Sequence, residues 1–142
     1  MRDIDKIILH CSATREGDNS VNAKVIDRWH KARGWAGIGY HFVILINGKI
    51  ELGRMIDKVG AHVKGMNKSS IGICYIGGVE KEKNKRGEWV PKDTRTAAQI
   101  ATMLELLRLL KKIFPKATIH GHNEFSSKAC PSFDVQREFS TL

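Results

Sequence analysis

Short apolar runs alternate along this chain with segments of helical periodicity, and this alternation limits the fold more than any other feature. Residues 4–10, 71–76 and 117–120 are predicted strands, the first two with the continuous apolar runs of buried strands. Helical segments are predicted from the turn at 17–20 to about Arg33, and from Thr96 to just before Pro115. Strands interleaved with helices predict an α/β domain whose central sheet is flanked by helices.

A hairpin between residues 41–46 and 49–52 is the clearest local signal. Asn47-Gly48 separates the two runs, and this dipeptide readily adopts the positive φ angles of a tight two-residue turn. The antiparallel pair that results makes the predicted sheet a mixed one.

The helix ends are marked by capping residues. Asp18, Asn19 or Ser20 is expected to cap the first helix, which should stop at Gly34. Four residues are predicted to form its core face: Val21, Val25, Trp29 and Ala32. Thr96 and Gln99 have the spacing of a capping box, and Asp134 is placed to cap a terminal helical turn through residue 139.

Length and composition fit one compact unit. The chain has 142 residues, 42% of them apolar, without an internal repeat or a Pro- or Ser-rich linker, so a single domain over 1–142 is expected. The sequence contains no run of eighteen apolar residues, so it predicts no membrane span. Its first residues include acidic side chains and do not resemble a secretion signal. The expected location in the producing cell is therefore cytoplasmic.

The net charge of +9 predicts attraction to an anionic partner without identifying it. Nucleic acid is not expected, because the basic residues are dispersed and no helix-turn-helix, zinc-finger or RNP pattern is present.

Six histidines and three cysteines are the candidates for chemistry. His10 ends the first strand, and His122 lies eight positions before Cys130 in a polar loop. Two imidazoles and one thiolate would form a three-ligand zinc site with an open fourth position, the pattern of catalytic zinc. Spacing alone leaves alternatives open. His120 would face the same side of a strand as His122, and a histidine at a strand end is more often simply hydrogen-bonded.

Five ordered blocks of sequence carry a more specific signal. They are IILHCSAT (7–14), WHKARGWAGIGYHF (29–42), GAHV (60–63) with Asn67, SIGICYIGG (70–78), and GHNEF with KACPSF (121–125 and 128–133). Together these blocks resemble the type 2 N-acetylmuramoyl-L-alanine amidases, in particular the lysozyme-amidases of the bacteriophage T7 kind, which are related to the peptidoglycan recognition proteins.

The resemblance implies the amidase fold and a role for each matching residue. The family's zinc ligands correspond to His10, His122 and Cys130 of this chain. The two residues that assist catalysis in the family correspond to Tyr40 and Lys128. All five positions match the family pattern.

The implied activity is zinc-dependent hydrolysis of peptidoglycan at the amide bond between the lactyl group of N-acetylmuramic acid and L-alanine. His62 is expected to line the substrate groove. The implied protein is a monomeric phage or prophage endolysin that degrades the cell wall and reaches it by a separate route. The alternative is a non-catalytic peptidoglycan-binding module, which typically lacks the cysteine ligand, whereas Cys130 is present here.

Overall fold

The computed structural model describes residues 1–142 and contains two sheets. The strands are β1 (Lys6–Cys11), β2 (Thr14–Arg15), β3 (Phe42–Ile44), β4 (Ile50–Leu52), β5 (Ser70–Tyr75), β6 (Gly78–Val79) and β7 (Thr118–Gly121). Five strands form the main sheet in the order β4-β3-β5-β1-β7, and β2 pairs with β6 alone. β3, β5, β1 and β7 are parallel and β4 is antiparallel, so the predicted mixed sheet is confirmed.

Helices cover both faces of the main sheet: α1 (Ala23–Ala32) on one face, and α2 (Ala97–Ile113) with α3 (Val135–Phe139) on the other. Side chains alternate between the faces along each strand. Ile7 and Leu9 therefore pack in the larger core, with α2 and α3. His10 points to the face of α1, beside its register partner Cys74, which packs in the smaller core.

The first helix departs from the sequence prediction at its start. Asn22, rather than a residue at 18–20, caps α1 by accepting a hydrogen bond from the Val25 N–H at 3.0 Å. Asp18 instead bonds Ser20 in a local turn, with Oδ1 accepting from the amide at 3.0 Å. The predicted stop is confirmed, because Gly34 adopts a φ of +87° that ends the helix.

The core face of α1 also differs from the prediction. Val21, just before the helix, is buried as predicted, but within α1 the buried residues are Ile26 and His30, whereas Trp29 is 43% exposed. The face is rotated because Nδ1 of His30 accepts a hydrogen bond from the Gly39 N–H at 2.9 Å. Apolar periodicity cannot detect a polar anchor of this kind.

The β3–β4 hairpin is confirmed, but its loop is longer than predicted. The Leu45 N–H donates to the Lys49 carbonyl and the Gly48 N–H to the Leu45 carbonyl, both at 2.8 Å. Gly48 alone has a positive φ, +86°, in this loop. The start of α2 holds the loop, since the Thr96 hydroxyl donates to the Ile46 carbonyl at 2.7 Å.

The other two predicted caps are confirmed. Thr96 and Gln99 form the capping box of α2, and the Asp134 side chain caps α3. Each of the three helices is too short or too polar to cross a membrane.

Candidate metal centre and groove

The candidate ligands meet where parallel strands end. His10 lies near the carboxyl end of β1, and His122 follows directly after β7, whose Gly121 pairs with Leu9. The ligand atoms of His10, His122 and Cys130 all lie within 4.8 Å of one another. Nδ1 of His10 is 3.7 Å from Sγ of Cys130. Ordinary zinc bond lengths at a tetrahedral angle would separate these two atoms by roughly 3.5 Å, so the donor set fits zinc.

Both imidazoles are in the form that can bind a cation. His10 is 1% exposed, and its burial, followed by the neighbouring His62, His122 and Lys128, holds its pKa well below the usual value. Burial and the charge of Lys128 also lower the pKa of His122. Each ring therefore keeps a free nitrogen lone pair at neutral pH.

The Cys130 sulfur is held by the residue that follows His10. The backbone N–H of Cys11 donates to Sγ of Cys130 at 3.2 Å. The adjacent Cys11 thiol, together with burial, raises the pKa of Cys130. A bound cation would favour the thiolate at this position. Beyond Cys130, the buried Tyr75 hydroxyl donates to the Pro131 carbonyl at 2.7 Å and anchors the loop.

The structure brings His122, and not His120, into the ligand cluster. Strand geometry ends at Gly121, and His122 begins a 3₁₀ turn, so the two rings no longer share one environment. His120 bonds the Thr118 hydroxyl at 2.6 Å and Glu124 at 2.9 Å instead. Glu124 also accepts from the Gly121 N–H at 2.7 Å, which supports the turn that carries His122.

A groove of about 470 Å³ lies beside the ligand cluster and shares His122 with it. His62, His122 and Lys128 line it, together with Trp35 and Phe125. The lining includes two lysines, Lys128 and Lys64, and no carboxylate. This composition favours an anionic ligand.

Tyr40 and Lys128 approach the cluster from different segments. Tyr40 precedes β3, and the centroid of its ring is 5.0 Å from the centroid of the His10 ring. Burial raises the pKa of Tyr40 well above its usual value, so the hydroxyl remains a hydrogen-bond donor. Lys128 is exposed on the groove, close enough for its charge to lower the pKa of both histidine ligands.

Several supporting residues were not predicted from the sequence. Oδ1 of Asn67 accepts from the amides of His62 and Val63 at 2.9 and 3.0 Å. Ser70 contacts the ring of His62, and Tyr75 anchors the loop after Cys130. The only signal for them was position, since all three lie within or beside the blocks that carry the family resemblance.

Comparisons with known proteins identify relatives among phage endolysins. The endolysin of Enterobacteria phage K11 is 39% identical over 140 residues, covering 99% of this chain and 88% of the relative. The endolysin of Escherichia phage T7 is 40% identical over 133 residues, covering 94% of this chain and 83% of the relative.

A solved structure also matches nearly the whole chain. The N-acetylmuramoyl-L-alanine amidase LysC from Clostridium intestinale has a TM-score of 0.79 at 25% identity, covering 99% of this chain and 88% of that one. Residues 1–133 match the Amidase_2 family, described as N-acetylmuramoyl-L-alanine amidase. Since the family match covers residues 1–133 and the ligand cluster is assembled, the chain belongs to the Amidase_2 family of N-acetylmuramoyl-L-alanine amidases.

Proposed function

We propose that this enzyme is a zinc-dependent amidase of the endolysin type, formed as a single domain by residues 1–142. Its substrate is peptidoglycan, and the bond cleaved joins the lactyl group of N-acetylmuramic acid to L-alanine. One observation carries the proposal: in a chain of this family, the donor atoms of His10, His122 and Cys130 converge beside a groove that is lined by two lysines and no carboxylate.

The three donors suit catalytic zinc. Two neutral imidazoles and one thiolate leave the fourth position of a tetrahedral ion open. Zinc bound there would supply a Lewis acid that polarises the scissile carbonyl and makes water nucleophilic near neutral pH. His10 and His122 contribute lone pairs because burial keeps them neutral.

Lys128 and Tyr40 are proposed to stabilise the oxyanion that forms when water adds to the amide carbonyl. Lys128 brings a positive charge to the groove, and Tyr40 brings a protonated hydroxyl. Each donor aimed at such an oxyanion is worth about 3–4 kcal/mol, because the charge it meets appears only in the transition state. His62 lines the groove and is proposed to contact the substrate there.

The proposed partner is the anionic wall polymer. Stem peptides carry carboxylates, which the lysines of the groove would attract, and the overall charge of +9 would aid encounter. The candidate ligand set is complete within one chain, so a second copy is not required and the proposed active form is a monomer. The similarity to phage endolysins supports action on the wall after release from the producing cell.

The product formed from purified peptidoglycan tests this function. The expected result is release of new L-alanine amino termini, abolished by a metal chelator and restored by zinc. Release of reducing sugar ends, or hydrolysis that persists after complete metal removal, would overturn it. Wall binding without turnover by the zinc-loaded protein would instead establish a binding module.

A further inference from the structure

The ring of His10 is held on the side opposite Cys130 by a second histidine. Nε2 of His10 lies 2.8 Å from Nδ1 of His62, while Nδ1 of His10 faces the Cys130 sulfur. Nε2 of His62 lies 3.2 Å from Oγ of Ser70, which is fully buried at the start of β5. Ser70, His62 and His10 therefore form one hydrogen-bonded chain that ends at the candidate metal centre.

Metal binding allows only one direction of hydrogen bonds along this chain. If Nδ1 of His10 gives its lone pair to a cation, the ring proton must lie on Nε2, which then donates to Nδ1 of His62. The neutral His62 ring consequently carries its own proton on Nε2, where Oγ of Ser70 can accept it. Both ring nitrogens of His10, both ring nitrogens of His62 and Oγ of Ser70 then have a partner.

The backbone and ring of His62 are fixed independently of His10. Oδ1 of Asn67 holds the His62 amide at 2.9 Å. Gly72 lies against the ring so closely that a Cβ at that position would be 2.8 Å from both Cγ and Cδ2 of His62. The absence of a side chain at residue 72 thus creates the space that the ring occupies, and the ring cannot shift toward β5.

We propose that His62 is a positioning residue that selects the Nε2-protonated form of His10 and aims its Nδ1 at the metal. The inference rests on the proposed zinc function and adds a second role to the groove wall. Ligating histidines commonly donate their other N–H to a fixed acceptor, and loss of that acceptor typically lowers metal affinity about 10- to 100-fold. Here the acceptor is a neutral imidazole whose position is set by Asn67, Ser70 and Gly72.

Two substitutions of similar size separate the acceptor from the volume of the side chain. Asn in His62→Asn can present Oδ1 where Nδ1 of the ring lies, whereas Leu in His62→Leu fills similar space without an acceptor. Zinc affinity is measured by competition with a chromophoric chelator. We expect His62→Leu to bind zinc about 10- to 100-fold more weakly than the wild type, and His62→Asn to recover most of the loss.

Nitrogen NMR of the zinc-loaded wild type gives a readout that does not depend on turnover. His10 should carry its proton on Nε2 and bind the metal through Nδ1. Coordination through Nε2, or equal zinc affinity in the wild type and His62→Leu, would overturn the inference. A raised KM in His62→Leu with unchanged zinc affinity would also overturn it, because that pattern indicates substrate contact alone.

Two further results keep the test decisive. If His62→Leu does not fold, Gly72→Ala retains His62 but displaces its ring, and weaker zinc binding is again expected. Unchanged affinity in a folded Gly72→Ala would then contradict the inference. If the wild type itself binds no zinc, the proposed function fails. If the wild type binds zinc and hydrolyses peptidoglycan, and His62→Leu binds zinc equally well, only the proposed role of His62 fails.

Discussion

At the scale of single residues, burial decides which protonation states the site can use. It keeps the ring of His10 neutral and the hydroxyl of Tyr40 protonated. Lys128 differs because it is exposed on the groove and contributes a charge without being enclosed. The site therefore combines buried and half-buried candidate metal ligands with a cation on the exposed groove.

Lys128→Ala is expected to lower kcat about 100- to 1,000-fold while zinc content stays at the wild-type level. Lys128 is not one of the three candidate ligands, so its removal should raise the energy of the transition state without lowering metal affinity. Steady-state kinetics with metal analysis of the same sample measures both effects. Lys116→Ala, at an exposed position outside the groove, is the matched control. A full rate in Lys128→Ala would contradict the oxyanion role.

At the scale of elements, the sequence predicted those helix ends that are determined by contacts between neighbouring residues. The Thr96–Gln99 capping box and the stop at Gly34 involve neighbours in sequence, and both are present in the structure. The core face of α1 and the length of the hairpin loop were predicted wrongly, because distant residues set them. His30 bonds Gly39 across the helix end, and Thr96 holds the loop at Ile46.

Tyr75→Phe tests how β5 supports the loop that carries Cys130. The substitution keeps the buried ring but leaves the Pro131 carbonyl without its donor. The free energy of unfolding of the metal-free protein should fall by about 1–3 kcal/mol, measured by urea denaturation. Zinc affinity should fall as well, because Cys130 directly precedes Pro131. Unchanged stability and affinity would show that the loop is held by other contacts.

At the scale of the whole molecule, parallel strand order places distant segments at one edge of the sheet. The ordered blocks of family resemblance imply that His10, His122 and Cys130 are metal ligands, and the structure brings their donor atoms within 4.8 Å of one another. The hydrogen bonds of Ser70 and Tyr75 could not be predicted, because they join β5 to loops 8 and 56 positions away in the sequence, and their geometry depends on the paths of those loops. The sequence blocks therefore indicate the candidate ligands, and tertiary packing determines the hydrogen bonds that position them.

The buried histidines also determine how overall stability responds to pH. Burial lowers the pKa of His30 to about 4 and that of His62 to about 3, and the pKa of His41 is lowered too. In the unfolded chain these groups titrate near 6.5, so between that pH and about 4 the unfolded state binds more protons. The metal-free protein should therefore be most stable above pH 6.5 and lose stability as the pH falls toward 4.

The variant His30→Asn isolates one contribution to this trend. Oδ1 of the asparagine can still accept from the Gly39 N–H but does not titrate. Urea denaturation of the metal-free variant between pH 7 and 4 should show a shallower loss, by at most about 1.4 kcal/mol per pH unit. An unchanged slope would mean that His30 titrates normally in the folded protein.

The metal content of the purified enzyme is the sharpest test of the proposed zinc site. The wild type should hold one zinc ion per chain, Cys130→Ser should lose both the zinc and the hydrolysis of peptidoglycan, and Cys74→Ala, at a buried cysteine outside the ligand set, should keep the zinc. Full hydrolysis by a wild-type sample without bound metal, or by Cys130→Ser, would contradict zinc-dependent catalysis at this site.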